Sequence, residues 1–177
     1  MSISLRRWLQ LFLIVVLVLA ADQITKRIVV DSMLVGEIRH PLPFLSPYFQ
    51  ITLSHNSGAA FGFLAQFGGV FLIVALVVVV VMVYMYPRIP DANWLARIAS
   101  GFIMGGALGN VIDRFGYGYV VDFIHYQIPN VISNVSNLAD HAIVLGVILF
   151  FIASWREEQI KKMQADLAPP TDTTTTA

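Results

Sequence analysis

Apolar residues fall along the chain in four long runs. The first covers residues 8–21 and extends past Asp22 to residue 30. The second, 67–86, contains no charged residue. The third spans 95–112 and the fourth 138–155. A hydrocarbon core of about 30 Å needs about 20 helical residues. The second run meets that length directly and the third and fourth are at its short end. The first spans only with Asp22 inside or at the edge of the bilayer. The pattern therefore predicts an all-α membrane protein, a four-transmembrane-helix bundle. Between the first two runs, residues 49–55 alternate apolar and polar, the period of a half-buried strand. Pro41, Pro43 and Pro47 break the chain into short extended pieces before it. Residues 31–66 are accordingly expected to hold a small sheet on the outer membrane surface. Residues 56–63, rich in small and aromatic side chains, suit a short interfacial segment with Phe61 and Phe63 toward lipid. An ordinary connector is the alternative there.

Gly101, Gly105 and Gly109 recur every four residues in the third run and form one smooth helix face for close packing. Residues 168–177 are polar and rich in Pro and Thr, and are expected to be a disordered cytoplasmic tail on a single domain of residues 1–167.

Composition agrees with the pattern. Hydrophobic residues make up 57% and charged residues 12%, against about 25% charged in soluble domains. Net charge is zero, and with no basic patch nucleic acid is not an expected partner. The absence of cysteine excludes disulfides, thiol nucleophiles and cysteine-bound metals. Arg6, Arg7, the first apolar run and Val18-Leu19-Ala20 also suit a cleavable signal peptide. The three later spans and the polar DQITK at 22–26 favour a retained anchor. With both termini in the cytoplasm, Arg6, Arg7, Arg88, Arg97, Arg156, Lys161 and Lys162 lie inside, and Lys26, Arg27, Arg39 and Arg114 outside. This excess inside sets the expected orientation.

Charge then changes the picture. Ionisable residues at membrane depth are expensive and mark function. Here they gather at the outer ends of their spans: Asp22 and Lys26, then Asn110, Asp113 and Arg114, then Asp122 in the following loop, then Asn137 and Asp140. Each has a plainer use. Asp22 and Lys26 can pair at i,i+4, Lys26 can snorkel, Arg114 can meet lipid phosphate, and Asn137 with Asp140 fits a helix-capping pair. Asp122, inside the apolar VVDFI, has no local partner. Two carboxylates that share one proton hold an acid and a base together. Such a pair suits peptide hydrolysis by an activated water. HExxH and GxSxG motifs are absent. His40, His55, His125 and His141 lack metal-ligand spacing and are expected to be interfacial or structural.

The ordered motifs DQITK (22–26), ITLSHNSGAAFGF (51–63), GGALGNVIDR (105–114), VVDFI (120–124) and NLAD (137–140) resemble those of the bacterial lipoprotein signal peptidases, or signal peptidase II. The resemblance implies four transmembrane helices with a small extracytoplasmic β-cradle and a short interfacial helix. It implies that Asp122 and Asp140 are a catalytic dyad, supported by Asp22, Lys26, Asn56, Gly58, Asn110, Arg114, Asn137 and Ala139. Arg114 and Asn56 would help to hold substrate backbone or the neighbouring carboxylates. The implied substrates are prolipoprotein signal peptides, cut before a diacylglyceryl-cysteine, with membrane lipid as the other partner. No metal or organic cofactor is implied, and a monomer in the bacterial inner membrane is expected. Ser136 stands where the family usually has an aromatic residue.

Two other classes compete. A proton- or ion-coupled transporter would line a path with Asp22, Asp113, Asp122 and Asp140. A relay needs such groups across the bilayer, however, and these share one depth. A structural or assembly protein would use the glycine face and leave the polar cluster without a purpose.

Overall fold

The computed structural model describes residues 4–58 and 68–167. Among them are four long helices, α1 (Leu5–Ser32), α2 (Gly68–Met85), α3 (Trp94–Tyr117) and α4 (Leu138–Leu167), each apolar and long enough to cross a membrane. Strands β1 (Ile38–Arg39), β2 (Phe49–Asn56), β3 (Val120–Ile128) and β4 (Ile132–Ser136) form one antiparallel sheet in the order β1-β2-β3-β4.

Helix α3 is the centre of the bundle and the most deeply buried of the four. Its glycines explain how. A Cβ on Gly101 would lie 2.5 Å from Ile14 Cγ2, and one on Gly105 would lie 2.7 Å from Val18 Cβ. The smooth face is thus filled by α1 of the same chain. Gly146 of α4 plays the converse part, its Cβ position 2.7 Å from Ile103 Cγ1. Helix α2, by contrast, exposes most of its Val, Leu and Ile side chains, as a lipid-facing helix does. Helix α3 begins at a cap in which Asn93 Oδ1 accepts the Ala96 N–H at 3.1 Å. It ends at Gly118, whose φ of +79° lets its N–H return to the Arg114 carbonyl.

The sheet packs on the end of α1 through a small core of Val29, Met33, Leu53, Val121 and Phe123. In its register Ser54 faces Asp122 and Ile124 faces Ser136. Between Ile51 and Ser54 strand β2 slips by one residue against β3. Bulges of this kind re-aim side chains beside functional sites, and this one adjoins Asp122.

Several expectations are revised. Asp122 sits in strand β3 and not in a loop, because VVDFI pairs with β2 along one edge, meets β4 at Ile124, and packs on the α1 end below. Only two of the four strands come from residues 31–66. Helix α4 runs twelve residues past 155, its exposed extension carrying the i,i+4 pairs Glu157–Lys161 and Glu158–Lys162. Helix α3 runs five residues past 112. Of the expected interfacial segment 56–63, Asn56 ends β2 and Gly58 lies in a turn, while residues 59–63, with Phe61 and Phe63, and the tail 168–177 lie outside the described residues.

Candidate active site

The polar residues of α1, α3, β2, β3 and the start of α4 meet at one end of the bundle. Asp22, Asp113 and Asp122 are 0%, 1% and 2% exposed. Carboxylates so far from water survive only where their lone pairs are filled. Their partners therefore define the site.

Asp122 is held from two sides. Asn56 Nδ2 donates to Oδ2 at 2.8 Å and Asn137 Nδ2 donates to Oδ1 at 2.6 Å. The Asn56 amide is itself fixed by a tight turn, its Oδ1 accepting the Gly58 N–H at 2.9 Å. Gly58 adopts φ +87°, which the turn requires. Burial pushes the Asp122 carboxyl up to about 6. The Asn56 and Asn137 hydrogen bonds oppose that rise and the nearby Asp140 charge adds to it.

Asp140 opens α4. Asn137 caps the helix, its Oδ1 accepting the Asp140 N–H at 3.0 Å. The capping use and the site use of Asn137 are thus one arrangement, since the same amide donates to Asp122. Asn110 Nδ2 donates to Asp140 Oδ1 at 2.7 Å, and Asn110 Oδ1 accepts from Asn137 Nδ2 at 3.3 Å. Two asparagine amides therefore connect the Asp122 and Asp140 carboxylates.

Behind them lies Lys26. Its ammonium has three donors, and all are used: Asp22 Oδ2 at 2.8 Å, Asp113 Oδ2 at 2.8 Å and Asn110 Oδ1 at 3.2 Å. Gln23 Nε2 donates to Asp113 Oδ1 at 2.9 Å and to Asp22 Oδ2 at 3.1 Å. Asp22 Oδ1 accepts the Ala139 N–H at 2.9 Å, and Asp113 Oδ2 accepts the Val121 N–H at 3.0 Å. A Cβ on Gly109 would lie 2.5 Å from Asp22 Oδ2 and 3.3 Å from Ala139 Cβ. The third glycine of the stripe thus makes room for a carboxylate, beside Ala139, which is fully buried.

The structure brings together Asp22, Lys26, Asn56, Gly58, Asn110, Asn137, Ala139, Asp122 and Asp140. Arg114 is half-buried at the same end, where its guanidinium contacts the Asn110 carbonyl at 3.4 Å and lies 5.8 Å from the Phe71 ring centroid. It forms no salt bridge among the described residues. Ser136 is buried and donates to the Ile124 carbonyl at 3.4 Å. Three histidines have structural partners. His125 bridges Gln50 and Ser133, His141 Nδ1 meets the Asn137 carbonyl, and His55 stacks on Tyr119. Two members of the network, Asp113 and Gln23, were not among the site residues that the resemblance implied, although Asp113 was gathered with the outer polar cluster. Asp113 was legible, since it shares a helix face with Asn110 at i+3. Gln23 carried no signal beyond its place between Asp22 and Lys26.

The family model described as "Signal peptidase (SPase) II" matches residues 14–156. The lipoprotein signal peptidase of Bacillus subtilis (strain 168) is 37% identical over 153 residues, which is 86% of this chain and 97% of that protein. That of Moorella thermoacetica is 42% identical over 137 residues, 77% of this chain and 87% of the relative. Two bacterial membrane enzymes solved by the in meso method superpose with TM-scores of 0.70 and 0.71, at 32% and 36% identity. The first match covers 94% of both chains, the second 81% of this chain and 91% of the other.

Proposed function

From the premise that the chain belongs to the signal peptidase II family, we propose that Asp122 and Asp140 are the acid–base pair with which it cleaves. The protein is a multi-pass bacterial inner-membrane hydrolase that removes signal peptides from prolipoproteins. The observation that carries the dyad is the pair of asparagine amides joining the two carboxylates, with Asp122 buried and raised to about 6. A raised carboxyl supports a pair that retains one proton near neutral pH.

The ionised member takes a proton from water as the oxygen attacks the scissile carbonyl. The protonated member gives its proton to the carbonyl oxygen. Collapse of the tetrahedral diol breaks the C–N bond: the carboxyl that took the water proton gives it to the leaving nitrogen, and one diol hydroxyl returns its proton to the other carboxylate as the carbonyl re-forms. The two apparent pKa values belong to the pair, so base and acid are not assigned to single residues. Asn56 and Asn137 keep Asp122 aimed, and Asn110 does the same for Asp140. Arg114, free of a carboxylate partner among the described residues, is suited to hold substrate backbone or a carboxylate once substrate binds.

Cleavage falls before a diacylglyceryl-cysteine, at the outer face, with both termini cytoplasmic. The burial of Lys26 within the site supports that orientation, since it removes one positive charge from the outer side of the balance. No metal takes part. Purified protein is incubated with a diacylglyceryl-modified prolipoprotein and with an unlipidated copy, with and without a chelator. Turnover of the lipidated precursor alone, unaffected by chelation, is expected. Equal turnover of both copies, or zinc-restorable loss on chelation, overturns the assignment.

A further inference from the structure

Asp22 and Asp113 take no part in the proton transfers above, yet both are as deeply buried as Asp122. Their hydrogen bonds follow one rule. Asp113 accepts the N–H of Val121, the residue before Asp122, and Asp22 accepts the N–H of Ala139, the residue before Asp140. Strand β3 and helix α4 are each fastened one residue away from the aspartate they carry. The two fastening carboxylates are in turn joined twice, through the Lys26 ammonium at 2.8 Å to each and through the Gln23 amide.

We propose that Asp22, Gln23, Lys26 and Asp113 form a yoke that sets the separation between the Asp122 and Asp140 carboxylates. This rests on the dyad assignment and extends it to positioning residues, Asp113 and Gln23 above all. The charges are needed for the task. Two buried carboxylates repel unless a cation lies between them, and an amide in place of either would still accept a backbone N–H but would release Lys26. The third Lys26 donor, on Asn110, carries the same restraint to the Asp140 side chain itself. Carboxylates share a proton only at close range, and the gap between their two apparent pKa values grows with that closeness. Yoke failure therefore acts on the chemical step and on the pH profile, and leaves substrate binding largely alone.

The test measures kcat, KM and the pH dependence of kcat/KM on a lipidated prolipoprotein for Asp113→Asn, Lys26→Met, their double variant and Gln23→Ala. Each charged single variant is expected to lose about 10²-fold in kcat, as for an ångström-scale misplacement. KM stays within about twofold on the same ground, and the bell-shaped profile narrows as the two apparent pKa values converge. The double variant is no worse than the poorer single one. Gln23→Ala removes an uncharged, half-buried side chain that donates to both fastening carboxylates and loses at least roughly tenfold, the scale of a single hydrogen bond, with the same narrowing. It decides the matter if the charged variants do not accumulate folded. A profile of unchanged width in Gln23→Ala, or strictly additive losses in the double variant, overturns the yoke. Full cleavage by Asp122→Asn or Asp140→Asn would instead overturn the dyad beneath it, so the two failures are told apart.

Discussion

Both ends of the bundle tie helices together with charges, and they do it under opposite conditions. At the end away from the site, Arg7 pairs with Asp91 at 2.8 Å and donates to the Ile89 carbonyl, and Arg97 reaches the same aspartate at 3.6 Å. Asp91 is 75% exposed, so water solvates it whether or not the pair forms. At the site end Asp22 and Asp113 have only protein to satisfy them. Arg7 and Arg97 are mostly buried, at 12% and 18% exposed, but with its carboxylate in water the pair is a replaceable latch, worth about 1 kcal/mol, the upper end for exposed pairs. A buried network allows one arrangement, and breaking a buried pair costs about 3–5 kcal/mol. The proposed active site lies where the charges have no alternative partner.

The largest effect that sharpens this contrast is on turnover. Asp122→Asn and Asp140→Asn are each expected to reduce cleavage of a lipidated precursor by at least about 10³-fold, the scale of losing an essential acid–base group. Both variants still insert and unfold cooperatively. Retained processing by either, followed by gel shift, breaks the assignment.

Next comes a pH effect on stability. The Asp122 carboxyl lies at about 6 when folded and near 3.8, the ordinary carboxylate value, when unfolded. The folded state thus binds the proton more tightly. Its contribution is fully present below about pH 4 and is lost as pH rises through about 6, a total of about 3 kcal/mol. Thermal unfolding in detergent should show Asp122→Asn gaining on the parent between about pH 4 and pH 6 and keeping that gain at higher pH. A constant difference across that range would contradict the burial of this group.

Gly109→Ala should follow, at about 1–3 kcal/mol of destabilisation, because its Cβ meets the Asp22 carboxylate. Ala at exposed Gly116, which meets nothing within 4 Å, is the control. Smallest is Asp91→Asn at the far end, expected to shift stability by less than about 1 kcal/mol and to leave cleavage rate unchanged.

The comparison also explains what the amino-acid sequence disclosed. Four spans were legible because hydrocarbon demands long apolar runs. The ends of α3 and α4 were not, because a helix continues into water at little cost and charge marks the membrane edge, not the helix edge. Strand β3 was hidden: buried on both faces, VVDFI lacks the alternation that exposed β2 at 49–55. The site's depth was legible from polar residues gathered at one end of their spans. Its wiring was not, since the Ala139–Asp22 and Val121–Asp113 bonds use backbone N–H groups, which every residue except proline possesses. The glycine stripe read as packing alone, and Gly109 turned out to serve a carboxylate as well.

The hydrogen bond from Ala139 to Asp22 joins residues 117 positions apart. Translation emits Asp22 early and Ala139 late, so a growing polypeptide holding only its first three spans lacks both Asp140 and the amide that Asp22 awaits. If the two aspartates act as the proposed pair, hydrolytic competence is withheld until the last span has entered the bilayer, and a truncated product would reside in the membrane without the means to cut its neighbours.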